Sequence, residues 1–237
     1  MIFKRCGVAI RFDKKKLKLE IPIKPAVRKK KDMSEFVFDP SYLSTLKEPL
    51  YLMYRDVGSL NPEFKKLGNK FGVRYDLTLM RSGLMGREYL RTVGHYHPKN
   101  YSELYEVIYG KAAFVMQSKD LKKMRLVIAK RGESVAIPPN FGHQTVNIGK
   151  TPLVVGNLVC KGFKPNYAVY KKMQGGAFYL NHYGGPWVML NANYGIPKEK
   201  FPKIEKTRGK KIGPLDKLFL ENPQKIATFL KGKTKTI

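Results

Sequence analysis

Cysteine is almost missing from these 237 residues: only Cys6 and Cys160 occur. Two thiols cannot make a disulfide framework, so a reducing compartment, the cytoplasm, is the expectation. Long apolar runs are missing as well. Stretches such as 153–156 fall far short of the roughly 20 residues that cross a membrane as a helix. Lys4, Arg5 and Arg11 interrupt the first residues, and no secretory signal is expected there. Acidic side chains are scarce, 18 against 46 basic, for a formal net charge of +28. What is present is 43% hydrophobic and 12% aromatic residues. That is enough apolar material for a core, which excludes global disorder despite the charge. The length fits one generous domain, or one domain with extensions.

An excess of lysine and arginine suggests nucleic acid, and its distribution tests that idea. Residues 1–33 hold 12 basic and 3 acidic side chains, and residues 169–237 hold 14 and 4. The 135 residues between them hold 20 and 11. The ends are therefore strongly basic and the middle is nearly ordinary. No basic-helix, zinc-finger or aromatic RNA-recognition signature accompanies the lysines, so the termini are expected to offer only nonspecific attraction to nucleic acid.

The middle reads as strand after strand. Candidate strands at 50–54, 74–80, 88–96, 104–109, 112–117, 124–129, 134–137, 143–147 and 153–160 are separated by turn signals such as Ser82-Gly83 and Arg131-Gly132-Glu133. Many short strands at this spacing predict an antiparallel sandwich or barrel. We divide the chain into an N-terminal arm with edge strands (1–48), a barrel (49–193) and a Lys/Pro-rich basic extension (194–237). A short helix is expected after Asp39-Pro40, and two more around Leu215–Phe219 and Ile226–Leu230.

Histidine is the last scarcity, and it is informative. Of four histidines, three fall into one pattern. His95 and His97 flank Tyr96, and the period of two along a strand puts both imidazoles on one face. Five residues then separate His97 from Glu103, on the return strand of a hairpin that Pro98-Lys99-Asn100 would turn. His143 follows Pro138-Pro139. Three imidazoles and a carboxylate suit a divalent transition metal with positions left open for substrate or water. His182 has no such company and is given no role.

The glycine spacing extends this pattern. Gly110 lies seven residues after Glu103, Gly132 six before Pro138, and Asn147 four after His143. These spacings resemble the two cupin motifs, with Asn140 where a glycine is usual, a residue that also tolerates positive φ. The expected fold is therefore all-β, a cupin jelly-roll barrel with short helices in the arm and the extension. The strings Thr92-Val93-Gly94-His95-Tyr96-His97 and 137–149 resemble the cupin-type glucose-6-phosphate isomerases, known chiefly from archaea, over about residues 49–170.

The resemblance implies an isomerase of glycolysis and gluconeogenesis that interconverts glucose 6-phosphate and fructose 6-phosphate, working as a homodimer. It implies metal ligation by His95, His97, Glu103 and His143. Fe2+ takes first place, with Zn2+, Mn2+ or Ni2+ as alternatives. It places the phosphate at Tyr51, Thr78, Thr92 and Gly94, makes Tyr105 and Tyr167 site tyrosines, and assigns catalysis to Glu103, Tyr105 and His143. Two departures stand out: Val159 occupies the place of a site tyrosine, and the spacer before Glu103 is one residue short.

Glu103 is the candidate base for a proton shuttle between C1 and C2, although a metal-bound carboxylate is a weaker base. A hydride shift is the alternative. Two other readings compete: another cupin enzyme, such as a mannose-6-phosphate isomerase or a dioxygenase, and a basic nucleic-acid-binding cupin without catalysis.

Overall fold

Strands form where the sequence alternates or runs apolar, and short helices cover what the strands leave exposed. The computed structural model describes residues 1–162, 164–182 and 187–234. A small sheet comes first, β1 (Ile2–Arg5), β2 (Val8–Asp13) and β3 (Lys18–Glu20), followed by β4 (Ala26–Arg28) and β5 (Tyr51–Tyr54). Next are α1 (Pro62–Phe71), β6 (Val73–Met80) and a pair of two-residue strands, β7 (Leu84–Met85) and β8 (Glu88–Tyr89). The barrel continues with β9 (His95–Tyr96), β10 (Glu103–Tyr109), β11 (Lys111–Ser118), β12 (Met124–Lys130), β13 (Ser134–Ile137), β14 (Phe141–Asn147) and β15 (Leu153–Cys160). After it come α2 (Ala168–Lys172), the pair β16 (Phe178–Leu180) and β17 (Val188–Leu190), then β18 (Ile204–Arg208), α3 (Leu215–Glu221) and α4 (Pro223–Leu230).

Two sheets carry the architecture. One has the order β13-β10-β15-β6-β5-β4 and is antiparallel throughout. The other has the order β18-β12-β11-β14-β9, with only the β12–β18 pair parallel. They face each other across a shared core of Tyr51, Met80, Tyr105, Val107 and Val155 from the first sheet and Phe114, Met116, Val127 and Ala129 from the second. This is the jelly-roll barrel that the cupin motifs predicted.

The outer face of the six-stranded sheet is covered too. Leu52, Leu77, Leu104 and Leu158 pack there against Phe12 of the N-terminal sheet and Phe64, Phe219, Ile226 and Phe229 of the helices. The rings of Phe64 and Phe219 sit 4.8 Å apart, joining α1 to α3. Covering on both faces explains why β15 is buried at every position and reads as an almost unbroken apolar run.

Several expectations need correction. The single strand over 88–96 is instead two short pieces, β8 and β9, because Arg91 turns inward to pair with Glu88 and Gly94 takes φ +84°. A side chain at Gly94 would meet Tyr170 and Gln144. Helix α1 lies inside the barrel segment and was not anticipated. Its signals are present: Asn61 accepts from the Phe64 amide, Pro62 follows as the first helical residue, and Gly72 closes the helix at φ +71°. The helix expected after Asp39 forms as a 3-10 helix, Pro40–Thr45. Its capping carboxylate, Asp39, accepts from the Ser41 amide.

The C-terminal segment carries two kinds of residue. Lys206 and Arg208 of β18 are exposed, whereas Leu215, Phe219, Ile226 and Leu230 are fully buried against the barrel. β18 adds to the edge of β12, and just beyond it the Ser134 and Lys210 backbones exchange hydrogen bonds. The segment thus reaches the edges of both sheets, which hides backbone groups that an open edge would present.

Candidate metal centre and cavity

The four proposed ligands come together from opposite walls. His95 on β9 pairs in register with His143 on β14, and their ring centroids are 4.6 Å apart. His97 follows β9 directly, with its ring 5.1 Å from His95 and 5.3 Å from His143. Glu103 opens β10 on the other sheet. The segment between His97 and Glu103 is therefore a crossing from one sheet to the other, not the hairpin expected from its turn residues. One ligand atom from each of the four residues lies within 4.8 Å of all the others.

Oε2 of Glu103 lies 3.2 Å from His97 Nε2 and 3.1 Å from His143 Nε2. It is buried and, among the described residues, accepts no hydrogen bond. Neighbouring ligands at right angles, each ~2.1 Å from a metal, would be about 3.0 Å apart. The spacing and the orphaned oxygen both fit a shared divalent cation.

Protonation states agree. Burial, reinforced by the His143 and His97 rings, holds the His95 imidazole well below its usual range. Burial also lowers His143, against the pull of the Glu103 carboxylate. Neutral imidazoles are the form that binds metals. Burial pushes the Glu103 carboxyl up, but the His143 and His97 rings outweigh it and hold it well below the carboxylate range.

A cavity opens beside these residues. Tyr51, Thr78, Thr92, Gly94, His95, Glu103, Tyr105, Val159 and Tyr167 line it, all of them singled out from the sequence. His97 and His143 do not line it, although they belong to the ligand cluster. Thr92 Oγ1 accepts from the Thr145 amide, tying its loop to β14. Tyr51 OH receives a long contact, 3.4 Å, from the Val93 amide. Burial, reinforced by the Glu103 carboxylate, pushes the Tyr105 phenol well above its usual range. It stays protonated, with its oxygen 3.3 Å from His143 Nε2.

Sequence reading missed Arg28, Arg55, Arg74 and Asn157 in the same lining. Arg55 and Arg74 share the buried carboxylate of Asp76, at 2.8 and 3.0 Å. The Nε of Arg28 is buried without a hydrogen bond among the described residues. Arg28, Arg74 and Asn157 lie on β4, β6 and β15, and Arg55 directly follows β5; they have no motif spacing, so strand pairing assembles them. His182, left without a role, contacts Tyr89 at 2.7 Å.

The motif positions behave as their types require. Asn140 adopts φ +64°, and Gly110 and Gly132 take φ +91° and +82°. Asn147 donates to the Arg81 and Thr151 carbonyls and accepts from the Gly149 amide, closing the turn after β14.

A family model described as glucose-6-phosphate isomerase (GPI) matches residues 27–196. The chain belongs to the glucose-6-phosphate isomerase family. Curated members of that family agree. The glucose-6-phosphate isomerase of Thermococcus gammatolerans is 30% identical over 145 residues, covering 59% of this chain and 73% of the relative. That of Pyrococcus abyssi is 29% identical over 133 residues, covering 55% and 67%. Among solved structures, a mutant oxalate decarboxylase of Bacillus subtilis overlays with TM-score 0.38 at 24% identity, over 49% of this chain and 27% of that one. The family match takes in the ligand cluster and the whole cavity lining. It stops before β18, α3 and α4, and residues of α3 and α4 complete the packing of the outer face.

Proposed function

We propose that this member of the glucose-6-phosphate isomerase family interconverts glucose 6-phosphate and fructose 6-phosphate in the cytoplasm, with a divalent metal held by His95, His97, Glu103 and His143. One observation carries the reading: the three-imidazole, one-carboxylate cluster opens onto a cavity lined by Tyr51, Thr78, Thr92 and Gly94. The curated relatives are named for this reaction.

The bound metal would supply Lewis acidity to the sugar's carbonyl and hydroxyl oxygens. The hydroxyls of Thr78 and Thr92, the Gly94 backbone and the Tyr51 phenol would hold the phosphate. Arg28 adds a cation on the strand paired with Tyr51, in register with it. Tyr105, kept protonated, would donate to a sugar oxygen.

Glu103 fits the ligand role better than that of a base. A carboxylate that ligates a metal is a weaker base, because the cation stabilises its charged form. We therefore favour direct migration of hydrogen from one sugar carbon to the next. Conversion of C2-deuterated glucose 6-phosphate should then retain the label, and washout into water would return Glu103 to the base role.

The cavity beside the cluster measures ≈ 70 Å³. A wider space of ≈ 460 Å³ under β18 contains none of the ligand or phosphate-side residues and is not the site we propose.

The test is coupled conversion of fructose 6-phosphate, with mannose 6-phosphate as a comparison substrate. Activity should appear on loading with Fe2+ and fall at least about 100-fold with chelator or in His143→Ala. No turnover in protein loaded in turn with Fe2+, Zn2+, Mn2+ and Ni2+ would sink the isomerase reading. We also expect a homodimer, since β4 is a sheet edge with Val27 exposed. Light scattering after gel filtration measures it.

A further inference from the structure

We propose that Asn157 is a positioning residue that fixes which oxygen of Glu103 faces the metal position. This rests on the metal-centre reading above and adds a residue outside the four ligands. Asn157 Nδ2 donates to Glu103 Oε1 at 2.7 Å, with both side chains buried. An ionised carboxylate can only accept, so the asparagine must present its amide N–H, and its orientation is thereby set. With Oε1 occupied, Oε2 is the oxygen left to approach His97 and His143.

Strand pairing makes this contact possible. Asn157 sits opposite Tyr105 on the neighbouring strand, two positions along from Glu103 and on the same face. It shares the inner face with Val155 and Val159, since side chains alternate along β15. Apolar neighbours on that strand offer Oε1 no other donor. Without Asn157 the carboxylate would lose the donor that holds Oε1 in place. A ligand carboxylate fixed by an outer hydrogen bond binds its metal more tightly, and losing such a bond typically weakens affinity by about 10- to 100-fold.

The experiment loads purified protein with Co2+ and follows the d–d absorption band while a chelator competes for the ion. Asn157→Leu keeps the volume and removes the donor; Asn157→Ala removes it without adding bulk, should the leucine variant fail to fold. Either variant should hold Co2+ about 10- to 100-fold more weakly, with a changed band, because Glu103 can then turn both oxygens toward the ion. A role in packing alone would leave the band unchanged in protein that is fully loaded. Affinity within twofold of the parent and an unaltered band would overturn the assignment. Failure of the parent chain to bind Co2+, by contrast, would remove the metal centre itself.

Discussion

Two glutamates three residues apart on β10 are both buried, and they live in opposite worlds. Glu106 points to the outer face. Its carboxylate accepts from Arg5 at 2.9 and 2.7 Å, from the Tyr75 hydroxyl at 2.6 Å and from the Leu215 amide at 3.3 Å. Glu103 points into the barrel, where one oxygen accepts from Asn157 and the other lies 3.2 and 3.1 Å from two imidazoles. β15 serves both. Gly156, opposite Glu106, has no side chain and so leaves space for the Tyr75 hydroxyl, while Asn157 next to it reaches Glu103. A buried carboxylate needs a cation. Glu106 has a permanent one in Arg5, which ties the N-terminal sheet and α3 to the barrel, whereas Glu103 sits where a removable one fits.

Neutralising each glutamate separates the two roles most sharply. Glu106→Ala leaves Arg5 without its main partner and should cost about 3–5 kcal/mol of stability, with metal affinity unchanged. Glu103→Gln should weaken metal binding about 100-fold or more while moving the stability of the metal-free protein by less than ~1 kcal/mol. Denaturant unfolding and chelator competition on both variants measure the contrast, and equal loss of stability in the two would erase it.

Acid should act next, and through the inner face. His95 and His143 have folded pKa values below the unfolded value of about 6.5, so the unfolded chain takes up protons first. Stability of the metal-free protein should therefore fall as pH drops below about 6.5. Melting temperatures that stay flat from pH 7 to 5 would contradict buried, neutral imidazoles.

The smallest effect belongs to the far end of the cavity. Thr78→Ala and Thr92→Ala should each raise KM for fructose 6-phosphate roughly fivefold, about one hydrogen bond's worth, with kcat little changed. An equal effect on an unphosphorylated sugar would place the phosphate elsewhere.

Much of the centre was legible in the residues themselves. His95 and His97 flank one residue, Gly110 and Gly132 mark turns that need positive φ, and Asn140 stands in for a glycine at φ +64°. These are local constraints of strand period and backbone conformation, so spacing exposes them. Helix α1 is legible too, since Asn61-Pro62 and Gly72 are ordinary cap residues. The polar run of β18 gave no strand signal, because its order comes from pairing with β12 and not from a buried face.

The sequence alone determined the strand-rich barrel, the four candidate ligands and the concentration of charge at the ends, because periodicity and composition act over a few residues. Tertiary structure decided the rest. It carried Glu103 across to the sheet opposite His95, brought Asn157 to its carboxylate, and gathered Arg28 of β4, Arg74 of β6 and Arg55 just after β5. It also gave the basic C-terminal segment an apolar face buried on the barrel. The physical reason is that antiparallel pairing joins residues tens of positions apart, as Leu104 meets Leu158, and no short-range pattern encodes which strands will meet.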